Sequence, residues 1–312
     1  MFLNRCSIPW FKKMMTHKKN EFRRQIKGVR WMIFWVVLAQ FAAEVAVEAI
    51  FSFLKNPPHE YIRIAIVEVL AIGVPLIIYA RSVWNSHGKN AKKEFGMNRC
   101  KPHLLLLAAA LGVCGQFVMI LLNLPMNLLL EQTATVEIPE SGDVGLFLLG
   151  ILAVVLIPAI LEEFWMRGVI FSAYNKSNTV AAVFFTSLMF ALLHMNVNDV
   201  LGFMFMGVVA SVIMIKCNSL YAAMVYHGFS NLTVFLLRDF ILPNATDKIW
   251  LLFGLAVLIF LLLFALLMVQ KNKTKPNKVF KPGRVVVNSL FSLPVVLSVA
   301  VAVIKYFVSK GI

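Results

Sequence analysis

The sequence has few cysteines and few charged residues, and each shortage excludes a class of protein. The cysteines are four among 312 residues and lie far apart: Cys6, Cys100, Cys114 and Cys217. Because no two form a C-x-x-C pair, they predict neither a disulfide framework nor a zinc knuckle. Charged residues make up only 14% of the chain and hydrophobic residues 60%, with a mean hydropathy of +0.80. This composition excludes a water-soluble globular domain and predicts an all-α, polytopic transmembrane helix bundle.

Acidic residues are scarcer than basic ones, with 15 Asp and Glu against 30 Lys and Arg and a formal net charge of +15. A basic excess can indicate nucleic-acid binding. Here, however, the positive residues lie in blocks between apolar runs, as they do in the cytoplasmic loops of membrane proteins. We therefore expect the lipid bilayer, and no nucleic acid, as the partner of this basic chain.

Nine apolar runs separated by polar stretches predict eight or nine membrane-spanning helices. The runs cover about residues 31–54, 61–84, 103–130, 145–174, 179–194, 200–215, 219–237, 249–270 and 285–307. Alternating spans place three basic blocks, 1–30, 81–101 and 271–284, on one side and the acidic stretch 131–143 on the other. Because basic loops stay inside, the N-terminus is predicted to be cytoplasmic, in a multi-pass protein of the plasma membrane. Pro125 is predicted to bend the far end of the third run, and the long fourth run is predicted to be accommodated by a tilt or by a kink at Pro158.

The fourth run contains two adjacent acids and a base, Glu162, Glu163 and Arg167. A charge near a helix centre costs about 2.5–3.5 kcal/mol on membrane insertion, so such residues are candidates for function. In a helix Glu163 and Arg167 stand at i and i+4 with the acid first, which favours an ion pair. Glu162 points about 100° away from Glu163 around the helix and is predicted to be the free carboxylate.

Two later runs each carry a histidine with a residue four positions away on the same helical face, Phe190 with His194 and His227 with Asn231. Measured from the flanking turns, these residues and Glu162 lie about 16–27 Å along their helices, so their depths overlap. Singly, each has an ordinary structural interpretation. His194 can be a loop residue, and His227 with Asn231 can be a polar bridge between helices. Together, they favour one shared cavity.

Three motifs in this order resemble those of the CPBP family, the CAAX-processing and bacteriocin-processing intramembrane proteases also called Abi proteins. They are Glu-Glu-x-x-x-Arg at 162–167, Phe-x-x-x-His at 190–194 and His-x-x-x-Asn at 227–231, and the resemblance covers about residues 158–232. The flanking Ser219-Leu220-Tyr221 also resembles the family. Met166 stands where Phe is expected, a departure that concerns packing beside Arg167.

The resemblance implies an intramembrane endopeptidase that hydrolyses a peptide bond of a membrane-associated peptide or protein. Glu162 would be the general base that activates water, and His194 would assist or orient that water. His227 with Asn231 would stabilise the oxyanion, supported by the residues Glu163, Arg167 and Phe190. The chain then divides into a basic N-terminal segment (1–30), N-terminal transmembrane helices (31–144), a CPBP-like catalytic core (145–240) and C-terminal transmembrane helices (241–312).

The resemblance favours a mechanism without a cofactor, but a zinc-dependent variant stays open. Glu162, His194 and His227 would supply two histidines and one carboxylate. The chain has no H-E-x-x-H sequence, and Asn231 suits an oxyanion donor better than a metal ligand. Prenylated CAAX proteins, bacteriocins and signal peptides all remain candidate substrates.

Two functions of other classes remain as alternatives. One is a non-catalytic membrane protein on the same scaffold, acting in bacteriocin immunity or as an adaptor. The other is a proton-coupled transporter that uses the intramembrane carboxylates Glu44, Glu48 and Glu68. The chain has no internal repeat and no paired broken helices of the kind that transporters use. The ordinary alternative is that Glu48 and Glu68 lie near the outer ends of their helices and face Arg63 or water.

Overall fold

A computed structural model of the chain describes residues 9–129, 144–194, 196–241, 247–271, 277 and 279–309. All regular secondary structure in these ranges is helical, which confirms the all-α prediction. The acidic stretch predicted to be external, 131–143, lies outside the described residues, as do residues 1–8 and residues 272–276 and 278 of the third basic block.

Ten main helices carry the fold within these described ranges. They are α1 (Pro9–Ser52), α2 (Glu60–Glu68, a π-helical turn Val69–Gly73, then Val74–His87), α3 (Pro102–Leu129), α4 (Val144–Asn175), α5 (Thr179–Leu193), α6 (Val200–Cys217), α7 (Leu220–Ile241), α8 (Asp247–Val269), α9 (Pro282–Leu290) and α10 (Leu293–Ser309). The basic N-terminal segment is not separate from the first span, because α1 runs through both without interruption.

Six of these helices are long and apolar enough to cross a membrane, and a seventh span results if α9 and the following Leu293–Lys305 count as one, bent by 58°. The protein is therefore a multi-pass membrane protein, but the predicted count of eight or nine spans is not confirmed. Eight of the nine predicted runs each correspond to one helix, and the ninth, about residues 285–307, covers both α9 and α10. The helix α5, however, has only 15 residues, and at 1.5 Å per residue it is shorter than the roughly 30 Å hydrocarbon core.

The helix α4 continues through Pro158 without a break. Two π-helical stretches, Ile151–Leu156 and Phe164–Phe171, flank its central segment Ile157–Glu163. Such wide turns accommodate irregular hydrogen bonding within a continuous helix. The sequence predicted a kink or a tilt at this proline, and the structure shows continuous helix with π-helical turns on both sides of the segment that contains it. Glu162 and Glu163 thus lie at the junction between regular and π-helical backbone.

The motif-bearing helices α4, α5 and α7 are neighbours. The helix α7 packs against α3, α4 and α6, while α5 packs between α4 and α6. The contact between α3 and α7 is close because Gly112 has no side chain: a Cβ there would lie 2.3 Å from the Tyr226 carbonyl oxygen. Small residues allow this close approach in membrane bundles. The packing brings the three predicted motifs to one region of the interior.

Candidate active site

Glu163, Arg167 and His227 form a cluster buried between α4 and α7. Arg167 Nη1 donates to Glu163 Oε1 at 2.6 Å, and both side chains are completely buried. His227 Nδ1 lies 2.9 Å from the same carboxylate oxygen. Arg167 Nη2 donates to the Gly207 carbonyl on α6 at 3.0 Å. The predicted Glu163–Arg167 pair is therefore present, and it also holds a histidine and a third helix.

The partner of His227 differs from the one we expected. We expected His227 to face Glu162, whereas in the structure its hydrogen bond is with Glu163. Helical spacing separates the directions of two adjacent acids, but it does not say which of them faces α7. That depends on how the neighbouring helix packs, and α7 packs against the Glu163 side of α4. Glu163 consequently accepts from both a guanidinium and an imidazole.

Glu162 faces the other histidine. Its Oε2 atom lies 3.7 Å from His194 Nε2, and the side chains are 15% and 25% exposed. This Oε2 atom is buried and forms no hydrogen bond with the described part of the chain. The prediction of a free carboxylate at position 162 agrees with this geometry.

The orientation of His194 is determined by its contacts. Its Nδ1 atom lies 2.8 Å from the carbonyl oxygen of Phe190, one turn earlier. Because a carbonyl oxygen can only accept, Nδ1 carries the proton, and in the neutral ring Nε2 presents a lone pair toward Glu162. The ring stacks on Phe203 with centroids 3.8 Å apart and planes inclined by 23°. Phe203 was absent from the predicted site, since one aromatic residue in an apolar helix carries no distinguishing signal.

Phe190 lies between the two histidines. Its ring centroid is 4.6 Å from that of His194 and 5.7 Å from that of His227, edge-on in the second case. The Arg167 guanidinium carbon lies 5.1 Å from the same ring, within the range of a cation–π interaction. The supporting role expected for Phe190 thus has a physical basis in its contacts with three site residues.

Asn231 is anchored to the backbone of α4. Pro158 has no N–H to donate to the carbonyl of Val154, four residues earlier, and Asn231 Nδ2 donates to that carbonyl at 3.1 Å. An amide nitrogen has two hydrogens, so one N–H of Asn231 remains for another acceptor. The structure therefore places Asn231 one turn beyond His227, on the helix face directed at α4.

The residues of the zinc alternative do not assemble into a metal site. Within the described residues, no group of three His, Cys, Asp or Glu side chains is arranged to hold a metal ion. Of the three expected ligands, Glu162 and His194 are close together, while His227 Nδ1 is bonded to Glu163. The structure therefore brings two of the three expected ligands close together, and the bond to Glu163 occupies only the Nδ1 atom of His227.

Two further polar residues, Asn123 and Asp199, hold the loop that follows His194. Asn123 Nδ2 on α3 donates to Asp199 Oδ1 at 2.8 Å, and Asn123 Oδ1 accepts from the Gly202 backbone N–H at 2.7 Å. Burial raises the pKa of the Asp199 carboxyl, and the Asn123 hydrogen bond opposes this rise. The sequence does not predict these hydrogen bonds, because Asn123 and Asp199 are far apart in the chain and belong to no recurrent motif.

The three carboxylates of the transporter alternative have separate surroundings. Glu44 pairs with Lys305 of α10 at 2.5 Å, and Glu48 pairs with Arg63 at 3.3 Å. Glu68 does not reach Arg63. Its Oε1 atom is buried without a hydrogen bond to any described group, and its charge interacts with that of Glu162. Glu68 is therefore an electrostatic neighbour of the candidate site that the motifs did not indicate.

Comparison with known families agrees with this site. Residues 144–233 match the family model described as Type II CAAX prenyl endopeptidase Rce1-like. The match assigns this segment to the CPBP family of CAAX proteases, confirms the resemblance drawn from the three motifs, and indicates a CAAX-type membrane protease. Searches of curated proteins and of solved structures found no match.

Proposed function

We propose that the protein is an intramembrane endopeptidase in which Glu162 and His194 act on one water molecule. The observation that carries this proposal is the distance of 3.7 Å between Glu162 Oε2 and His194 Nε2. The two atoms face each other and form no direct hydrogen bond. Polar atoms beyond direct hydrogen-bonding distance are commonly joined by a bridging water. Such a water is the nucleophile that peptide hydrolysis requires.

Proton transfers follow from the side chains. Glu162 takes a proton from the water as it attacks the peptide carbonyl, and His194 Nε2 orients the water by accepting its second hydrogen. The protonated Glu162 then delivers its proton to the leaving amine. The proton stays on His194 Nδ1 throughout, donated in a hydrogen bond to the Phe190 carbonyl, and this bond keeps the ring in the required tautomer.

The oxyanion is stabilised by His227 and Asn231. His227 donates Nδ1–H to Glu163, and in the imidazolium form it also offers Nε2–H. The adjacent carboxylate stabilises this positive charge, in the way that an acid supports a catalytic histidine in other hydrolases. Asn231 adds its second amide N–H. A single donor of this kind contributes about 10²–10³-fold to the rate.

The substrate that we propose is a membrane-associated peptide, of which a prenylated CAAX protein is the example suggested by the matched family model. The location that we propose is the plasma membrane, with the basic N-terminus on the cytoplasmic side. The reaction as proposed uses no metal. Cleavage by the purified full chain should therefore survive removal of divalent ions by a chelator, and activity lost on chelation and restored by zinc would overturn this part of the proposal.

The decisive experiment compares membrane peptides from cells that produce the wild type and the Glu162→Gln variant. Cleavage products should disappear in the variant, while the protein persists in the membrane. Glu48→Gln is the matched control, because it makes the same chemical change at a side chain that is 70% exposed. Products that persist in Glu162→Gln cells would refute the endopeptidase assignment. A Glu162→Ala variant that protects cells from a toxin as well as the wild type would establish the non-catalytic immunity function instead.

A further inference from the structure

A cavity of about 500 Å³ lies between α1 and the α9 segment, away from Glu162 and His194. Its lining combines two arginines and an asparagine with apolar side chains: Ile26, Arg30, Phe280, Arg284, Val285, Asn288 and Phe291. Both arginines belong to basic blocks that the charge distribution places on the cytoplasmic side. The cavity is therefore positively charged and lies at the predicted inner boundary of the membrane.

Arg30 is held in place by neutral partners. Its Nε atom donates to the Tyr174 hydroxyl at 3.3 Å, and its Nη2 atom donates to Ser289 Oγ at 2.9 Å. These bonds join α1 to α4 and α9, and they orient the guanidinium without neutralising it. Such orientation lowers the entropy cost of binding a further acceptor.

Within the described part of the chain, the positive charge of the cavity has no carboxylate counter-ion. Among the side chains that the structure describes, no carboxylate lies within ion-pairing distance of Arg30 or Arg284. Two lysines, Lys27 and Lys281, are exposed near the same two arginines in the chain and add positive charge. A partly buried guanidinium without a counter-ion favours an anionic ligand, and the planar guanidinium suits the oxygens of a phosphate.

The apolar part of the lining distinguishes a lipid from a free phosphate ion. Phe291 is 80% exposed and follows α9, where the chain turns by 58° into α10. Val287 on the same short helix is 52% exposed. A short helix with exposed apolar side chains beside basic residues is typical of the membrane interface. An acyl chain can contact Phe291 while the head group occupies the cavity.

We propose that this cavity binds the phosphate head group of an anionic phospholipid from the cytoplasmic leaflet. Arg30 and Arg284 contact the phosphate oxygens, Asn288 donates to the remaining polar atoms, and Phe291 contacts the acyl region. Basic pockets between transmembrane helices on this side of the membrane bind such head groups. The bound lipid supplies a negative charge beside the two arginines and joins α1 to α9. This site is independent of the proposed hydrolysis.

The test measures retention of phosphatidylglycerol by the purified full chain in phosphatidylcholine nanodiscs, by native mass spectrometry. The wild type should retain phosphatidylglycerol selectively, and the Arg30→Gln/Arg284→Gln double variant should lose at least tenfold of that retention. The matched control is Arg81→Gln/Arg99→Gln, which removes two exposed positive charges from another basic block and should retain the lipid.

If the loss of Arg30 disturbs the fold, the single variant Arg284→Gln still tests the proposed lipid site. Arg284 is exposed and bonded to no described side chain, so this single change should preserve folding and reduce retention severalfold. Equal losses in the two double variants would refute the site, because they would indicate unspecific attraction to a basic surface. Inorganic phosphate that binds in an arginine-dependent manner while the wild type shows no selectivity for phosphatidylglycerol would also overturn the lipid assignment.

Discussion

The same substitution at two adjacent positions, Glu162→Gln and Glu163→Gln, should have different effects on stability, with a loss only at Glu163. Glu163 is fully buried and accepts from Arg167 at 2.6 Å and from His227 at 2.9 Å. Glutamine removes the negative charge and leaves the buried Arg167 guanidinium without its counter-ion. Removing one partner of a buried ion pair costs about 3–5 kcal/mol. We expect Glu163→Gln to lower the free energy of unfolding by about this amount.

Glu162→Gln should leave stability unchanged within about 0.5 kcal/mol or raise it, since its Oε2 atom forms no hydrogen bond with the described residues. Its effect belongs to catalysis. Loss of a general base lowers the rate by about 10²–10⁴-fold. The two variants therefore separate the roles of the two acids, one through unfolding and the other through cleavage.

The measurement combines unfolding in mixed micelles, followed by tryptophan fluorescence, with cleavage of a membrane-associated peptide. A further variant provides an internal check: Glu163→Gln combined with Arg167→Met removes both charges and should recover most of the lost stability, because apolar replacement of a buried pair is often neutral. Equal stability of the two single variants would refute the geometry, and so would failure of the double variant to recover any stability.

Three further substitutions test the supports of the site. Gly207→Ala should lower both stability and cleavage, because its Cβ would lie 2.7 Å from a backbone atom of α5. The control Gly254→Ala, with nothing within 4 Å of its Cβ, should change neither. Cleavage activity and thermal unfolding of the two variants test this prediction. Phe203→Leu should reduce kcat more than it raises KM, since the stacked ring holds His194, and unchanged kinetics would contradict this role. Asn123→Ala should destabilise the protein by about 1–3 kcal/mol through loss of two buried hydrogen bonds, and an unfolding midpoint equal to that of the wild type would argue against these bonds.

Much of the fold follows from patterns within single segments. Apolar runs located the first eight of the ten helices and merged α9 with α10, and a spacing of four residues placed Glu163 beside Arg167 and Phe190 beside His194. These are local relations, determined by helix geometry along one segment. The number of spans was less predictable, because α5 is too short to cross the membrane and α9 departs from α10 by 58°. Hydropathy detects apolar segments, but it does not give the angle between one helix and the next.

The relations between helices were not predictable in the same way. The hydrogen bond from His227 to Glu163, the stack of Phe203 on His194 and the nearness of Glu68 to Glu162 all depend on the packing of neighbouring helices. Depth along each helix limited which residues could meet. It left the rotation of each helix about its axis undetermined, and that rotation selects between two adjacent side chains such as Glu162 and Glu163.

Because Glu163 binds both Arg167 and His227, it has a structural role and also a role in the proposed reaction. If His227 donates Nε2–H to the oxyanion, its ring must carry a proton on both nitrogens, and the carboxylate that stabilises this charge is Glu163. The same carboxylate is bound to Arg167, which is fixed in turn by the Gly207 carbonyl. A substitution at Glu163 therefore lowers activity through the charge of His227 as well as through folding. In the proposed mechanism, the two adjacent acids thus act on opposite sides of the reacting carbonyl: Glu162 acts on the water, and Glu163 acts through His227 on the oxyanion.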